Sequence, residues 1–324
     1  MDLAVVILAA GQGTRMKSAL PKVLHEAAGQ PLLEHVLRAV QDLEPTRTLV
    51  VVGHGADEVE ARFRDPAHHD LEFVRQTEQL GTGHALLQTR LPLGDFDGPV
   101  LVLNGDGPLL KTDTLRALIG AHQEAGEGMA LLTCEVRDPT GLGRIVRDDR
   151  GQIQRIVEEK DAGPQQKAIH EINPGIYLFD ADVFGYAGEL TDDNAAGEYY
   201  VTDLVDSYLR DGKPVVAVVT DDETEILGVN TRQHLAEVER VLRDRIREKW
   251  LLAGVTMLSP EQTFIGDEVR LEPDVTLYPG VWLGGHTIVR RGAVIGLHAL
   301  LVNCDVAENA RVEPHSVLRD TDIS

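Results

Sequence analysis

The first apolar run of the chain breaks into a segment rich in glycine and positive charge: LAAGQGTRMKSALPKVL, residues 8–24. Gly11 and Gly13 allow backbone N–H groups to come close to a polyphosphate. Arg15 can fork onto phosphate oxygens, and Lys22, behind the rigid Pro21, can neutralise a second phosphate. Two familiar phosphate loops do not fit. The Walker pattern requires a glycine five residues after the first, and the dinucleotide fingerprint requires a third glycine; both requirements fall on Met16. A nicotinamide-dependent oxidoreductase is therefore disfavoured, and another kind of phosphate chemistry is indicated.

Two further segments carry groups of the same character. After the apolar stretch LVLN comes Gly105-Asp106, a carboxylate at the end of a buried strand, where a divalent cation can bind with substrate phosphates filling its other positions. QLGTGHA, residues 79–85, is a second glycine-rich loop leading into a helix, with Gln76 and Gln79 ahead of it. Amides of this kind can read a base edge; the alternative use of Thr82 is as an ordinary helix cap. Cys134 and Cys304 sit among apolar residues without metal-type spacing and read as buried, reduced thiols.

The elements that must position these groups alternate in type. Leu3–Ala10 reads as a strand buried on both faces, Leu32–Leu43 as an amphipathic helix, and Thr48–Val52 and Val100–Leu103 as further strands. This β-α-β-α alternation predicts an α/β, Rossmann-like, mainly parallel sheet with helices on both sides and a ligand site at the strand ends. From Thr231 the pattern changes to one long helix, with Leu235, Val238, Leu242, Ile246 and Trp250 on one face. Beyond it Ile265, Leu271, Leu277, Leu283, Val289, Ile295 and Leu301 recur every six residues, and after a one-residue slip Val306, Val312 and Leu318 resume the step. Hexapeptide repetition predicts a short parallel β-helix of about three coils. His286, His298 and His315 fall within it as surface or turn residues.

The balance of charge is acidic, 53 Asp+Glu against 31 Lys+Arg, which opposes binding to duplex nucleic acid or anionic lipid. With no basic, apolar leader and no long apolar run, the chain reads as soluble and cytoplasmic, with no membrane partner.

LAAGQGTRMKSALPKVL, QLGTGHA, NGDGPLL, GLGRIVRD, IVEEKDA, EINPGIY, GEYYVTDL and GVNTR follow one another in this order. The set resembles the sugar-1-phosphate nucleotidyltransferases. It is most similar to the bacterial bifunctional family that combines N-acetylglucosamine-1-phosphate uridyltransferase with glucosamine-1-phosphate acetyltransferase. The resemblance implies a nucleotidyltransferase type A-like domain over residues 1–230, a connecting helix over 231–254 and a left-handed hexapeptide β-helix over 255–324. It implies UTP and N-acetylglucosamine 1-phosphate as substrates, UDP-N-acetylglucosamine and pyrophosphate as products, Mg²⁺ as cofactor and a homotrimer built through the β-helix.

Roles follow from the matched motifs. Gly11, Gly13 and Arg15, with Leu8 and Ala10 beside them, would hold the UTP phosphates. Lys22 would steady the α-phosphate or the sugar phosphate. Gln76, Gln79, Gly81 and Thr82 would read uracil and position the nucleotide. Gly143, Glu158 and Asn173 would hold the amino sugar, and Asp106 and Asn230 would ligate Mg²⁺. Where the family often has an aromatic residue before the Gly-Asp pair, this chain has Asn104. The acetyltransferase residues of the family lie in later coils than those present, so no acetyl transfer is expected, whether the chain is a truncated form or a natural short relative. The competing readings are another sugar-1-phosphate nucleotidyltransferase, or a silent sugar-nucleotide-binding assembly module. The presence of Arg15, Lys22, Asp106 and Asn230 together argues against the second.

Overall fold

A computed structural model describes residues 2–64, 68 and 70–324 of the chain. They form two compact units, Met1–His25 with Leu32–Thr231, and Glu26–Pro31 with Arg232–Ser324. The strands up to residue 220 are Ala4–Ala9 (β1), Glu26–Ala27 (β2), Gln30–Pro31 (β3), Arg47–Val52 (β4), Leu71–Arg75 (β5), Val100–Asn104 (β6), Met129–Glu135 (β7), Gly143–Arg147 (β8), Ile153–Val157 (β9), Glu171–Asn173 (β10), Tyr177–Phe179 (β11) and Val215–Thr220 (β12). The helices are Leu32–Gln41 (α1), Ala56–Arg62 (α2), Thr82–Gln88 (α3), Thr112–Ala125 (α4), Pro164–Lys167 (α5), Val183–Ala187 (α6), Leu204–Arg210 (α7) and Arg232–Leu252 (α8).

In the first unit one ten-stranded sheet runs β5-β4-β1-β6-β11-β7-β10-β8-β9, with β12 on the other edge of β7. The expected strands are all present, and the four from β5 to β6 are parallel as the alternation implied. Beyond β6 the sheet becomes mixed: β11 is antiparallel to β6 and β7, and β10, β8 and β9 continue antiparallel. Of these later strands, β10 and β11 are three residues long and β8 and β9 are half polar, and these four lie outside the clear βα alternation, which is why the parallel pattern does not extend to them.

Alternation within β1 fills both faces. Val5, Ile7 and Ala9 join Val50, Val52, Leu101, Leu103 and the apolar stripes of α1, α2 and α4. Ala4 and Val6 join Leu49, Val51, Val100 and Val102 with residues of α3, α6 and α7. A strand buried on both sides reads as a continuous apolar run, and AVVILA is such a run. Helix α1 ends at Gln41, two residues earlier than its apolar pattern, because Leu43 and Glu44 close the turn onto Val40 and Gln41.

One irregularity shapes the middle of the sheet. Glu171 faces Glu135 and Tyr177 faces Leu131, so six steps along one strand meet four along the other. Pro174-Gly175-Ile176 absorb the difference as a bulge. The same stretch pairs with β8 on one side of the bulge and with β6 on the other.

In the second unit, β2 and β3 pair only with each other, and α8 buries Val238, Val241, Leu242 and Ile246. The remaining strands form a parallel β-helix with three walls of four strands each. Thr256–Met257, Thr276–Leu277, Val294–Ile295 and Arg311–Val312 make one wall. The coil count is therefore four rather than about three. The first coil escapes the six-residue count because it carries an extra turn at Pro260–Gln262 and is two residues longer than the next. The later slip is a coil shortened by one residue: Val289 pairs with Val306, against Leu271 with Val289. Corners at Asp274, His298, Asn303, Asn309, His315 and Asp320 have positive φ, and these residue types tolerate the left-handed region best after glycine. His298 and His315 are thus corner residues, with rings stacked at 5.4 Å. Cys134 and Cys304 are both buried and free. No helix among the described residues is long and apolar enough to cross a membrane.

Leu101 is fully buried at the centre of the sheet. Leu101→Ala is expected to cost about 2–5 kcal/mol of stability, measured by urea unfolding. A loss well under 1 kcal/mol would mean that this core is not closed.

Candidate functional site

The ends of β1, β4, β5 and β6 open onto loops 10–22, 53–55, 76–81 and 105–111, where an open α/β sheet places its ligands. The loop after β1 takes its shape from backbone geometry. Gly13 has φ +60°, and a Cβ there would meet Cβ of Lys22 at 3.0 Å. This glycine is thus required both by conformation and by the close passage of the lysine. A short 3₁₀ turn over Thr14–Met16 buries Met16 and leaves Arg15 exposed, so the residue that excluded the two familiar phosphate loops anchors this one. Gly11 is exposed, with open space where a side chain would lie.

Arg15, Lys22, Asp106 and Asn230 meet although they are far apart in sequence. Lys22 Nζ pairs with Asp106 Oδ2 and donates to Asn230 Oδ1 at 3.2 Å, and Arg15 Nη2 donates to the same oxygen at 2.9 Å. The segment carrying Asn230 is held to Asp106 by a backbone bond, Val229 N–H to the Asp106 carbonyl at 2.9 Å. Glu225, which sequence reasoning did not single out, makes a second clasp. It is 4% exposed, accepts from Thr114 Oγ1 at 2.6 Å and pairs with Lys111 Nζ at 3.0 Å. Its only signal in the sequence is a position five residues before Asn230.

The QLGTGHA loop is fastened by the GEYYVTDL segment. Tyr199 donates its N–H to the Leu80 carbonyl at 2.8 Å and accepts from Gly83 N–H at 2.7 Å. Thr82 Oγ1 accepts from Val201 N–H at 3.1 Å, so Thr82 joins this strap while Gly81, with φ +110°, is the helix cap. A Cβ on Gly81 would stand 2.5 Å from the Tyr199 carbonyl oxygen. Gln76 is buried, its amide nitrogen bonded to the Gly81 carbonyl at 3.1 Å and 3.0 Å from His84 Nδ1. Gln79 is exposed and donates to the Gln76 carbonyl at 3.1 Å. Leu8 and Ala10 flank the start of the first loop.

Gly143, Glu158 and Asn173 come together on the antiparallel half. Asn173 is the register partner of Gly143, and a Cβ on Gly143 would lie 3.3 Å from Glu158 Oε1. Asn173 donates to the Tyr177 hydroxyl at 2.6 Å and accepts from Gly175 N–H at 3.1 Å. Asn104 is the register partner of Leu8 and donates to the Pro174 carbonyl at 3.2 Å, joining the two halves through the bulge. The Asn104 amide is thus a tie to the backbone.

Burial raises the Glu158 carboxyl above the ordinary range, with further push from Asp203, Asp161 and Glu198. Burial, with Asp206 next to it, lifts Asp203 to about 6. Between roughly pH 4, the unfolded value, and pH 6 the folded state binds more protons, so this residue's contribution falls as pH rises through that window. Asp203→Asn is expected to stabilise the protein by about 1 kcal/mol above pH 6.5, the shift being discounted for partial solvent exposure, and to leave stability unchanged below pH 4. Thermal unfolding across pH 4–8 reads this directly.

Among the described residues no group of three or more His, Cys, Asp or Glu side chains is placed to hold a metal. Asp106 and Asn230 nonetheless fit a hard divalent cation. Their oxygens converge on a single ammonium, and Mg²⁺ usually takes only one or two protein oxygens, with phosphate and water as its other ligands.

Comparison with known proteins agrees with this fold. The chain matches the Nucleotidyl transferase family over residues 4–259, and it belongs to that family. Within it, the chain is a homologue of the bacterial bifunctional GlmU proteins. It is 48% identical over 314 residues to the bifunctional protein GlmU of a Thermus thermophilus strain, covering 97% of this chain and 68% of that one. With the Syntrophotalea carbinolica GlmU it shares 45% over 318 residues, again 68% of the relative. The fold is shared with a solved structure described as a putative glucose-1-phosphate thymidylyltransferase from Bacillus anthracis, with a TM-score of 0.63 at 22% identity over 75% of this chain and 96% of that one. The protein is a sugar-1-phosphate nucleotidyltransferase.

Gly13→Ala places a side chain at positive φ against Lys22. It is expected to cost about 1–2 kcal/mol and to raise the nucleotide KM, measured by thermal unfolding and steady-state kinetics.

Proposed function

We propose that this chain transfers the uridylyl group of UTP to N-acetylglucosamine 1-phosphate, giving UDP-N-acetylglucosamine and pyrophosphate. The observation that carries the reading is the meeting of Arg15, Lys22, Asp106 and Asn230 at the ends of β1 and β6. The nucleophile is a phosphate oxygen, already anionic near neutral pH, so the reaction needs no general base. The difficulty lies in bringing two polyanions together, and fixed positive charge with in-line positioning answers it.

Gly11 and Gly13 present backbone N–H groups to the triphosphate, and Arg15 stands beside them for the departing pyrophosphate. Lys22 neutralises the phosphate at which the bond forms. Gln79 and the strapped Gly81-Thr82 turn face the base, with the buried Gln76 holding that turn. Gly143, Glu158 and Asn173 receive the amino sugar. A divalent cation, Mg²⁺ on this reading, would be held by Asp106 and Asn230 and would add charge neutralisation between the phosphates.

The product fits a supply of activated amino sugar for the bacterial cell wall, made in the cytoplasm. No acetyl transfer is assigned to this chain. A homotrimer through the β-helix is supported by one wall whose outward positions are Phe264, Trp282, Leu300 and Val317, with Val317 67% exposed.

Arg15→Ala and Asp106→Ala are each expected to lower turnover by about 10²–10³-fold while the protein remains folded. The assay is pyrophosphate release from UTP and N-acetylglucosamine 1-phosphate, with glucose 1-phosphate, dTTP and a chelator as controls. Selective, chelator-sensitive release supports the reading. Preference for another sugar or nucleotide moves the substrate, and near-normal rates in both variants remove the assignment.

A further inference from the structure

Lys22 has two partners that its proposed work on phosphate does not explain. Its ammonium pairs with Asp106 Oδ2 and donates to Asn230 Oδ1, the two oxygens assigned above to a divalent cation. The pair is well enclosed, with side-chain exposures of 17% for Lys22 and 15% for Asp106. Arg15 takes a second position on the same Asn230 oxygen. A carboxylate so sheltered requires a compensating charge close by. One ammonium and one metal ion cannot both occupy the point where these oxygens converge.

We infer that Lys22 is the internal counter-cation of the metal site and that a divalent metal binds there by exchange with its ammonium, which is thereby released toward phosphate. The inference rests on the reading of Asp106 and Asn230 as metal ligands. The exchange keeps the net charge at the carboxylate compensated throughout. It also links the two ligands of the site. Phosphate offers Lys22 and Arg15 new partners and so favours metal entry, and the metal frees the same side chains for phosphate. By thermodynamic linkage the two effects are equal.

The test uses the whole chain without nucleotide and Mn²⁺ as the probe, with binding read by electron paramagnetic resonance. Four proteins are compared: the wild type, Asp106→Asn, Lys22→Met and Lys17→Met. The last removes one positive charge from the same loop without touching the ion pair. Lys22→Met is expected to bind Mn²⁺ at least about tenfold more tightly than wild type, and Lys17→Met within about twofold of it. In a second measurement, acetylation of the wild-type Lys22 amine by acetic anhydride, read by peptide mass spectrometry, should accelerate several-fold on adding Mn²⁺ while Lys17 does not change.

If Lys22→Met binds no more tightly than Lys17→Met, or if labelling of Lys22 ignores the metal, the exchange is wrong. If Asp106→Asn binds Mn²⁺ as the wild type does, the metal-ligand reading itself fails, which is a distinct result. Should Lys22→Met fail to fold, as judged by circular dichroism, the wild-type labelling decides alone.

Discussion

One ammonium shared between a carboxylate and an amide oxygen, from segments 84 and 208 residues away in the chain, is the contact on which the site depends. It sets the positive loop after β1 against the acidic turn after β6. In a chain with a formal net charge of −22, such a concentration of cations has to be assembled by the fold, because the surface at large repels anionic substrates. The sheet provides that assembly. β1 and β6 are neighbours in parallel register, so the loops that follow them emerge side by side.

Rigidity around this contact comes from polar groups with defined partners. Glu225 fixes the start of α4 to the segment that carries Asn230, and the 199–201 strap fixes the turn before α3. Both are long-range clasps between loops, and loops cannot rely on packing alone for position. A site on loops is only as well placed as such bonds make it. Under the proposed assignment the raised carboxyls, Glu158 and Asp203, lie on the sugar side rather than at this contact.

Much of this was legible in the sequence because it rests on local signals. The apolar run AVVILA, the stripe along α8 and the six-residue repeat each announce an element by its own period. The charged loop after β1 announces phosphate chemistry through residue type alone. The remainder was illegible for a physical reason: it depends on pairing between distant segments. Nothing near Glu225 says that Thr114 will be its donor. Nothing near Thr82 distinguishes a helix cap from a partner of Val201. The first coil of the β-helix was hidden by its longer turn, and the antiparallel half of the sheet by strands of three to seven residues, most of them short or of mixed polarity. The resemblance implies Asp106 and Asn230 together, whereas their convergence on Lys22 is a property of the folded chain.

The bulge at Pro174-Gly175-Ile176 divides the labour of the sheet. On one side of it the strand belongs to β6 and the parallel half, which carries the loops after β1 and β6; on the other it belongs to β8 and the hairpin that carries Gly143 and Glu158. Under the proposed assignment, nucleotide and sugar are thus read by two half-sheets that share a single interrupted strand, with Asn104 as a stitch across the seam. Such a division is a route for evolutionary change. The hairpin can drift in sequence, and with it the choice of sugar, while the backbone that grips the triphosphate stays in register.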